Sequence, residues 1–194
     1  MPKRSNGPGQ SRTKTQQTTP APKGNFDLEV AEPVGVTKGR VSSTGLDRLT
    51  FDGYTLTWHG SNAKSWSAFS GPEDESADEA TKDVGPTPQG LFSIDPTKIE
   101  EFKSDPDWGS FRVPLVPYAP TVDRMKDCLK VIRTGMYIHG GEQRGTHGCI
   151  ELNMDTDEAE FFTLLKKYRK RIELEVRYAG AREKKYEVKA CPYP

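Results

Sequence analysis

The sequence predicts a mainly β domain of the α+β class, with one or two helices attached to its sheets. Three observations carry that prediction. Short runs rich in β-branched and aromatic residues recur between turn signals from about residue 47 to residue 178. A single stretch, after Asn153, combines a helical apolar period with end signals. Hydrophobic residues make up 33% of the 194, and their deficit is concentrated at the amino terminus, so the remainder suffices for one core.

Residues 1–25 contain no Ile, Leu, Phe, Tyr or Trp and carry Lys3, Arg4, Arg12, Lys14 and Lys23 without a single acid. Such a segment cannot bury enough apolar surface to offset its ordering entropy, so it reads as a disordered basic leader. The folded domain then spans residues 26–182, and residues 183–194 form a tail that adds a strand in KKYEVKA.

Along the domain, residues 47–59, DRLTFDGYTLTWH, place two strand-like runs around Asp52-Gly53, a tight-hairpin signal. AKSWSAFS, 63–70, adds a third strand. The acidic stretch 71–86, bounded by Gly-Pro at both ends, reads as an exposed loop. TPQGLFSID, 87–95, is a turn feeding a strand, 96–109 is irregular, and FRVPLVPYAP, 111–120, is extended, with prolines suited to an edge or bend. Asp123 to Leu129 suits a short helix and Val131-Ile132 a strand; GMYIHG, 135–140, is a strand ending at a histidine. The helix after Asn153 is expected to be capped by Asp155 or Thr156. Its apolar face is Ala159, Phe161, Phe162, Leu164 and Leu165, and cations from Lys166 to Arg171 suit its C-terminal dipole. RIELEVRY, 171–178, alternates as a strand. No internal repeat is present.

Charge and cysteines exclude several classes. The formal net charge is zero, so with five cations in the leader the rest of the chain stands at −5. A mildly acidic body argues against a nucleic-acid-binding domain, and the leader lacks aromatics for base stacking. No apolar run reaches the length of a signal-peptide core or a membrane span. The expected route is synthesis in the cytoplasm and export without a cleaved signal. Cys128, Cys149 and Cys191 are an odd number with no CxxC pair, so at most one disulfide forms, for instance Cys128 with Cys191, leaving Cys149 free.

The chemistry concentrates in residues 137–152, YIHGGEQRGTHGCIEL, which hold two of the three histidines and one cysteine among glycines and small polar residues. A thiol attacks as thiolate, and a neighbouring imidazole can take its proton; His139 and His147 are both candidates for Cys149. In an extended segment His147 and Cys149 point to one side. Small residues before the cysteine expose backbone N–H groups for an oxyanion. These features together imply thiol-based acyl transfer on an amide. His139, His147 and Cys149, with His59, also have the chemistry of zinc ligands, although their spacing matches no common zinc pattern. On residue chemistry alone, a nucleophile, a metal site and a structural coincidence all stay open.

Thr146-His147-Gly148-Cys149, with His139-Gly140 upstream, resembles the signature of the L,D-transpeptidase catalytic domain, the YkuD-like family. Gly85-Pro86-Thr87-Pro88-Gln89-Gly90-Leu91-Phe92-Ser93-Ile94 resembles a second segment of that family, and the likeness covers roughly residues 45–175. The resemblance implies a β-sandwich of mixed sheets. It makes Cys149 the nucleophile, His139 its base, and His147 a support for the thiolate or oxyanion region. Gly140 falls where a backbone carbonyl orients the base. Thr146 belongs to the signature, and the Gly148 and Cys149 amides form part of the oxyanion hole. The implied substrate is the peptidoglycan stem peptide: attack on the carbonyl of meso-diaminopimelate expels a terminal D-alanine, with water giving hydrolysis and an amine giving exchange or cross-linking. No metal or cofactor is expected. Two departures stand out: the gap from His139 to Thr146 is short, and Glu151 occupies a position often held by Arg or Asn. Arg144 is the candidate to replace that lost cation before the stem carboxylate, and Asn153 falls where the family has a downstream asparagine.

The short gap, the Gly140-Gly141 pair after the strand and the expected lack of a signal peptide resemble a subgroup of type VI secretion effectors, toxins acting in a target cell's periplasm, and the basic leader suits loading onto the secretion apparatus. An immunity protein and the secretion apparatus are then expected partners. The alternatives are a zinc-dependent amidase and a non-catalytic wall-binding module. Trp58 and Trp66 suit the core; Trp108 is the tryptophan best placed for a substrate groove, and Tyr137 shares a strand face with His139.

Overall fold

A computed structural model describes residues 28–32, 47–72, 77–142, 145–178, 186–187 and 190–194. The expected disordered leader and Arg144 lie outside the described residues. The fold begins where the hairpin was expected. β1 (Arg48–Phe51) and β2 (Thr55–His59) pair antiparallel. Asp52 Oδ1 accepts from the amides of Tyr54 (3.0 Å) and Thr55 (2.9 Å), and Gly53 turns the chain at φ +102°, a conformation that favours glycine.

β3 (Lys64–Ser70) follows, then β4 (Ala77–Asp78), β5 (Gly90–Ile94), β6 (Glu100–Asp105), β7 (Gly109–Pro114) and β8 (Val116–Pro117). Helix α1 (Ala119–Arg124) runs into a wider π-type turn, Met125–Leu129. β9 (Tyr137–His139), β10 (Ile150–Leu152), helix α2 (Asp155–Tyr168), β11 (Ile172–Val176) and β12 (Tyr186–Glu187) complete the order. Ten strands form one mixed sheet, β6-β7-β9-β10-β3-β2-β1-β11-β5-β8, while β12 pairs with β4 apart from it.

β3 joins the sheet's two halves. Its first residues pair with β2, and Ala68, Phe69 and Ser70 pair with β10. Both halves send alternate side chains into one core. Leu49 pairs with Trp58 and Leu174, and Phe92 with Leu174, while Val113, Ile138 and Ile150 form a row in the other half. Phe161, Phe162 and Leu165 of α2 enter the same cluster, and each fully buried large side chain contributes about 1.5–3 kcal/mol relative to exposure. Trp58 and Trp66 belong to this core, their indole N–H groups donating to Asp47 Oδ1 (2.8 Å) and Glu160 Oε2 (3.1 Å).

Five expectations are corrected. Residues 100–105, read as irregular, form β6. Its side chains are mostly exposed, so no apolar alternation marks it. α1 starts four residues before the expected Asp123, behind Tyr118, with Pro120 in its first turn, and Val131 and Ile132 lie outside any strand. The residue capping α2 is Met154, without a side-chain bond; Asp155, Asp157 and Glu158 instead supply the first-turn negative charge. The acidic stretch is not all exposed: Glu79 is buried and bonds Arg124 at 2.6 and 2.9 Å, also accepting from the Gln89 amide at 2.9 Å.

Cys128 and Cys191 form a disulfide that ties the tail to the turn after α1; Cys149 is the free cysteine. Among the described residues no helix is long and apolar enough to cross a membrane.

Candidate active site

Strand register builds the site. Arg112 on β7 pairs with His139 on β9, His139 with Glu151 on β10, and Glu151 with Phe69 on β3. Residues directly opposite one another share a sheet face, so these four form a row across four strands. It lies on the face away from the core, because the core takes the alternate residues Val113, Ile138 and Ile150. Tyr137 shares the face with His139 by period two, and Cys149 enters immediately before β10.

His139 is only 4% exposed. Its Nδ1 hydrogen-bonds to the carbonyl oxygen of Gly140. With Nδ1–H donating there, Nε2 carries the lone pair. The Trp108 ring packs against the imidazole at 5.0 Å between centroids and edge-on against Tyr137 at 5.7 Å.

Helix α2 reaches beneath this arrangement through Glu158. That buried carboxylate accepts from the amides of Ser110 (2.8 Å) and Phe111 (2.7 Å), and the Gly140 backbone bonds to it as well. A Cβ at Gly140 would lie 2.3 Å from the Glu158 carboxyl carbon, and one at Gly109 would lie 2.6 Å from its oxygen. Both positions are glycine because a carboxylate occupies the space of a side chain.

The cysteine loop is held from three sides. Thr146 Oγ1 donates to the Cys149 carbonyl at 2.7 Å and accepts from the Gly71 amide at 3.0 Å. The buried Arg133 guanidinium bonds the carbonyls of Glu79, Gly85, Pro86 and His147. Thr87 Oγ1 donates to the Gly148 carbonyl at 2.8 Å, while its amide donates to Ser70 Oγ. The Pro86-Thr87 segment and the Thr146–Cys149 loop are therefore one unit, clamped by Arg133. Thr87→Val leaves the Gly148 carbonyl without that donor inside the fold. The expected loss is about 1–3 kcal/mol in urea unfolding, together with slower catalysis through a looser cysteine loop. Unchanged stability and rate would count against the clamp.

Gly148 sits at φ +107°, and a Cβ there would fall 2.3 Å from Arg133 Nη2. Its left-handed turn breaks the extended run in which His147 and Cys149 share a side. The outcome is a buried Cys149, 7% exposed, beside an exposed His147. This corrects the alternation argument for His147.

Burial governs the electrostatics of both Cys149 and His139. Burial pushes the Cys149 thiol up to about 12, against smaller opposing effects of a Tyr137 backbone bond, Arg133 and Arg112. Burial lowers His139 to about 4; the Gly140 carbonyl opposes this, and Arg112 adds to it. At neutral pH both groups are uncharged.

The structure thus holds Thr146, Gly148 and Cys149 in one loop that leads into β10, places His139 and Gly140 at the end of the neighbouring β9, and leaves His147 at the surface. Asn153 donates to Ser67 Oγ at 2.6 Å. It also lines an open cleft of about 410 Å³ with Gly141, Glu142, Glu151, Met154, Asp155 and Thr156. Among the described residues no group of three or more His, Cys, Asp or Glu stands ready to hold a metal. Arg112, Arg133, Thr87 and Glu158 escaped sequence reasoning as individual site residues. Thr87 lay within a quoted motif, but nothing local marked the other three.

Residues 52–173 match the model of one protein family, the L,D-transpeptidase catalytic domain. The matched segment contains the whole row, the cysteine loop and Glu158. A search of curated proteins returned no match.

Proposed function

The chain belongs to the L,D-transpeptidase catalytic domain family, and on that premise we propose that it is a cysteine-dependent L,D-carboxypeptidase and L,D-transpeptidase acting on peptidoglycan stem peptides. The observation that carries this reading is a buried Cys149 immediately before β10, backbone-bonded to Tyr137 on the adjacent strand that ends at His139, whose Nδ1 is committed to Gly140. That tautomer leaves Nε2 to take a proton.

In the proposed reaction, Cys149 Sγ attacks the diaminopimelate carbonyl carbon while its proton passes to His139 Nε2. A thiol at about 12 and an imidazole at about 4 do not exchange a proton at rest. Transfer therefore accompanies C–S bond formation, with His139 as general base. The oxyanion accepts hydrogen bonds from the Gly148 and Cys149 amides. The intermediate collapses with cleavage of the C–N bond, and His139 returns the proton to the amine of D-alanine, which leaves. The thioester is then resolved by water, giving the shortened stem, or by an amine, giving exchange or a cross-link.

Purified protein incubated with disaccharide-tetrapeptide, with and without an added D-amino acid and with and without chelator, tests the reading by mass spectrometry. Chelator-resistant loss or replacement of the terminal D-alanine is expected. Unchanged muropeptides from folded protein would overturn it, and loss of activity with chelator would favour a zinc amidase.

The proposed setting is delivery by a type VI secretion apparatus into a neighbouring cell's periplasm, with an immunity protein covering the cleft. The basic, hydrophobe-poor residues 1–25 support this setting. Lysis of a Gram-negative host only when the protein is directed to its periplasm is the expected result; equal harmlessness in both compartments would sink it.

A further inference from the structure

We infer that Arg112 is the specificity-determining residue that recognises the free carboxylate of the leaving residue, restricting cleavage to stems with an unblocked C-terminus. The inference rests on the proposed reaction and assigns a substrate contact that the cysteine and histidine motifs do not contain.

The order of the row carries the argument. Cys149 enters from the β10 side, His139 stands on β9, and Arg112 pairs with His139 from β7. The substrate has the same order. Its acyl carbon must reach Cys149, and the departing nitrogen must reach His139 to receive a proton. Two bonds beyond that nitrogen lies the leaving residue's carboxylate. Neighbouring strands stand about 4.8 Å apart, so a group just past the nitrogen falls over β7 or back over β10. On β10 the residue opposite His139 is Glu151, a carboxylate with no N–H to offer an anion; on β7 it is Arg112, whose fork carries five.

Arg112 is prepared for that role. Its guanidinium lies 4.6 Å from the centroid of Trp108, 4.7 Å from that of Tyr137 and 5.0 Å from that of Phe102. Nε and Nη2 both bond Glu100 Oε2, at 3.0 and 2.7 Å. Glu100 thus takes two of the five N–H donors that a guanidinium carries. The aromatic faces fix the plane of the fork, which is how arginine binds carboxylates. The side chain is 19% exposed, so a ligand can touch it. Its charge is felt at both Cys149 and His139, which places it within range of the reacting atoms.

The test compares disaccharide-tetrapeptide with the same compound carrying a C-terminal carboxamide. Wild-type protein is expected to cleave the acid about tenfold to a hundredfold more efficiently in kcat/KM, the range of one charge-assisted contact. Arg112→Gln is expected to lower kcat/KM for the acid by about tenfold to a hundredfold more than for the amide, so the preference disappears whatever common change the lost charge makes at Cys149 and His139. Arg112→Lys is expected to restore part of the preference, and it serves as the informative variant if the glutamine form does not fold. Equal loss on acid and amide, with the preference intact, would overturn the inference in favour of a packing role. A wild-type enzyme that cleaves both substrates alike would also overturn it. Failure of wild-type protein to cleave either one would instead strike the proposed reaction itself.

Discussion

Cys149→Ala is expected to lower D-alanine release by about four orders of magnitude, and adding His139→Gln to cost little more. In the proposed reaction the two residues act as one unit: without the thiol, the base has nothing to deprotonate. His139→Gln alone is expected to cost about 10²–10⁴ in kcat, the range for a general base. The upper end applies here, because burial holds the thiol near 12 and other routes to thiolate at neutral pH are poor. Wild-type activity should rise with pH through about 4, as His139 loses its proton, and then stay level across neutrality. Stability should follow a linked course. The unfolded chain protonates this histidine near 6.5 and the folded chain near 4. Between those values the unfolded state binds more protons, so stability falls as pH drops, by about 3 kcal/mol in all. His139→Gln should remove that slope. The thiol acts at the other end: the unfolded chain ionises near 9 and the folded chain near 12, so stability falls as pH rises through that window, and Cys149→Ala should flatten it. Muropeptide time courses and urea unfolding from pH 4 to 11 measure both sets of values. A Cys149→Ala protein retaining more than a few percent of wild-type turnover would reject the assignment of the nucleophile.

Much of the candidate site was legible as sequence because its proposed reacting groups and close backbone turns fall within eleven residues. His139 ends the short strand Tyr137–His139, and Cys149 follows a glycine that only a left-handed turn explains. The Gly85–Ile94 segment was legible as a second motif, but not its physical task. Thr87 and Arg133 bind it to the cysteine loop through contacts 61 and 14 residues apart in the chain. Such pairings depend on register, which single-sequence periodicity does not set between distant strands. Arg112 shows the same limit. In FRVPLVPYAP it is one cation between two apolar residues; only the pairing of β7 with β9 puts it beside His139. β6 went unread for a different reason. It lies at the sheet's edge with most side chains in solvent, so nothing forces apolar alternation on it. The missed start of α1 and the uncapped start of α2 reflect tertiary packing overriding local end signals.

Glu158→Ala is expected to unfold at markedly lower urea, with a loss of about 2–3 kcal/mol, because the part-buried backbone N–H groups of Ser110 and Phe111 lose their charged acceptor. Glu158→Gln separates that structural task from the positioning of the base. A glutamine oxygen still accepts from Ser110 and Phe111, so most of the stability should survive. Its amide group, however, turns N–H toward the Gly140 backbone, where the carboxylate had accepted a bond. Gly140 carries the carbonyl that holds His139 Nδ1, so its displacement loosens the base. The expected signature is a fall in kcat of about tenfold or more with KM nearly unchanged, since a misdirected base costs rate and not substrate contacts. Gly140→Ala should reach the same end from the other side. Its Cβ would sit 2.3 Å from the Glu158 carboxyl carbon, and either the helix side chain or the Gly140 carbonyl must give way. Pairing it with Glu158→Ala vacates that space, so the double variant should recover part of the stability that the two single changes would together remove. Kinetics of the glutamine variant and a double-variant unfolding cycle check these values. A Glu158→Gln enzyme with wild-type kcat would show that His139 keeps its aim without the helix. The carboxylate would then be only a brace for β7.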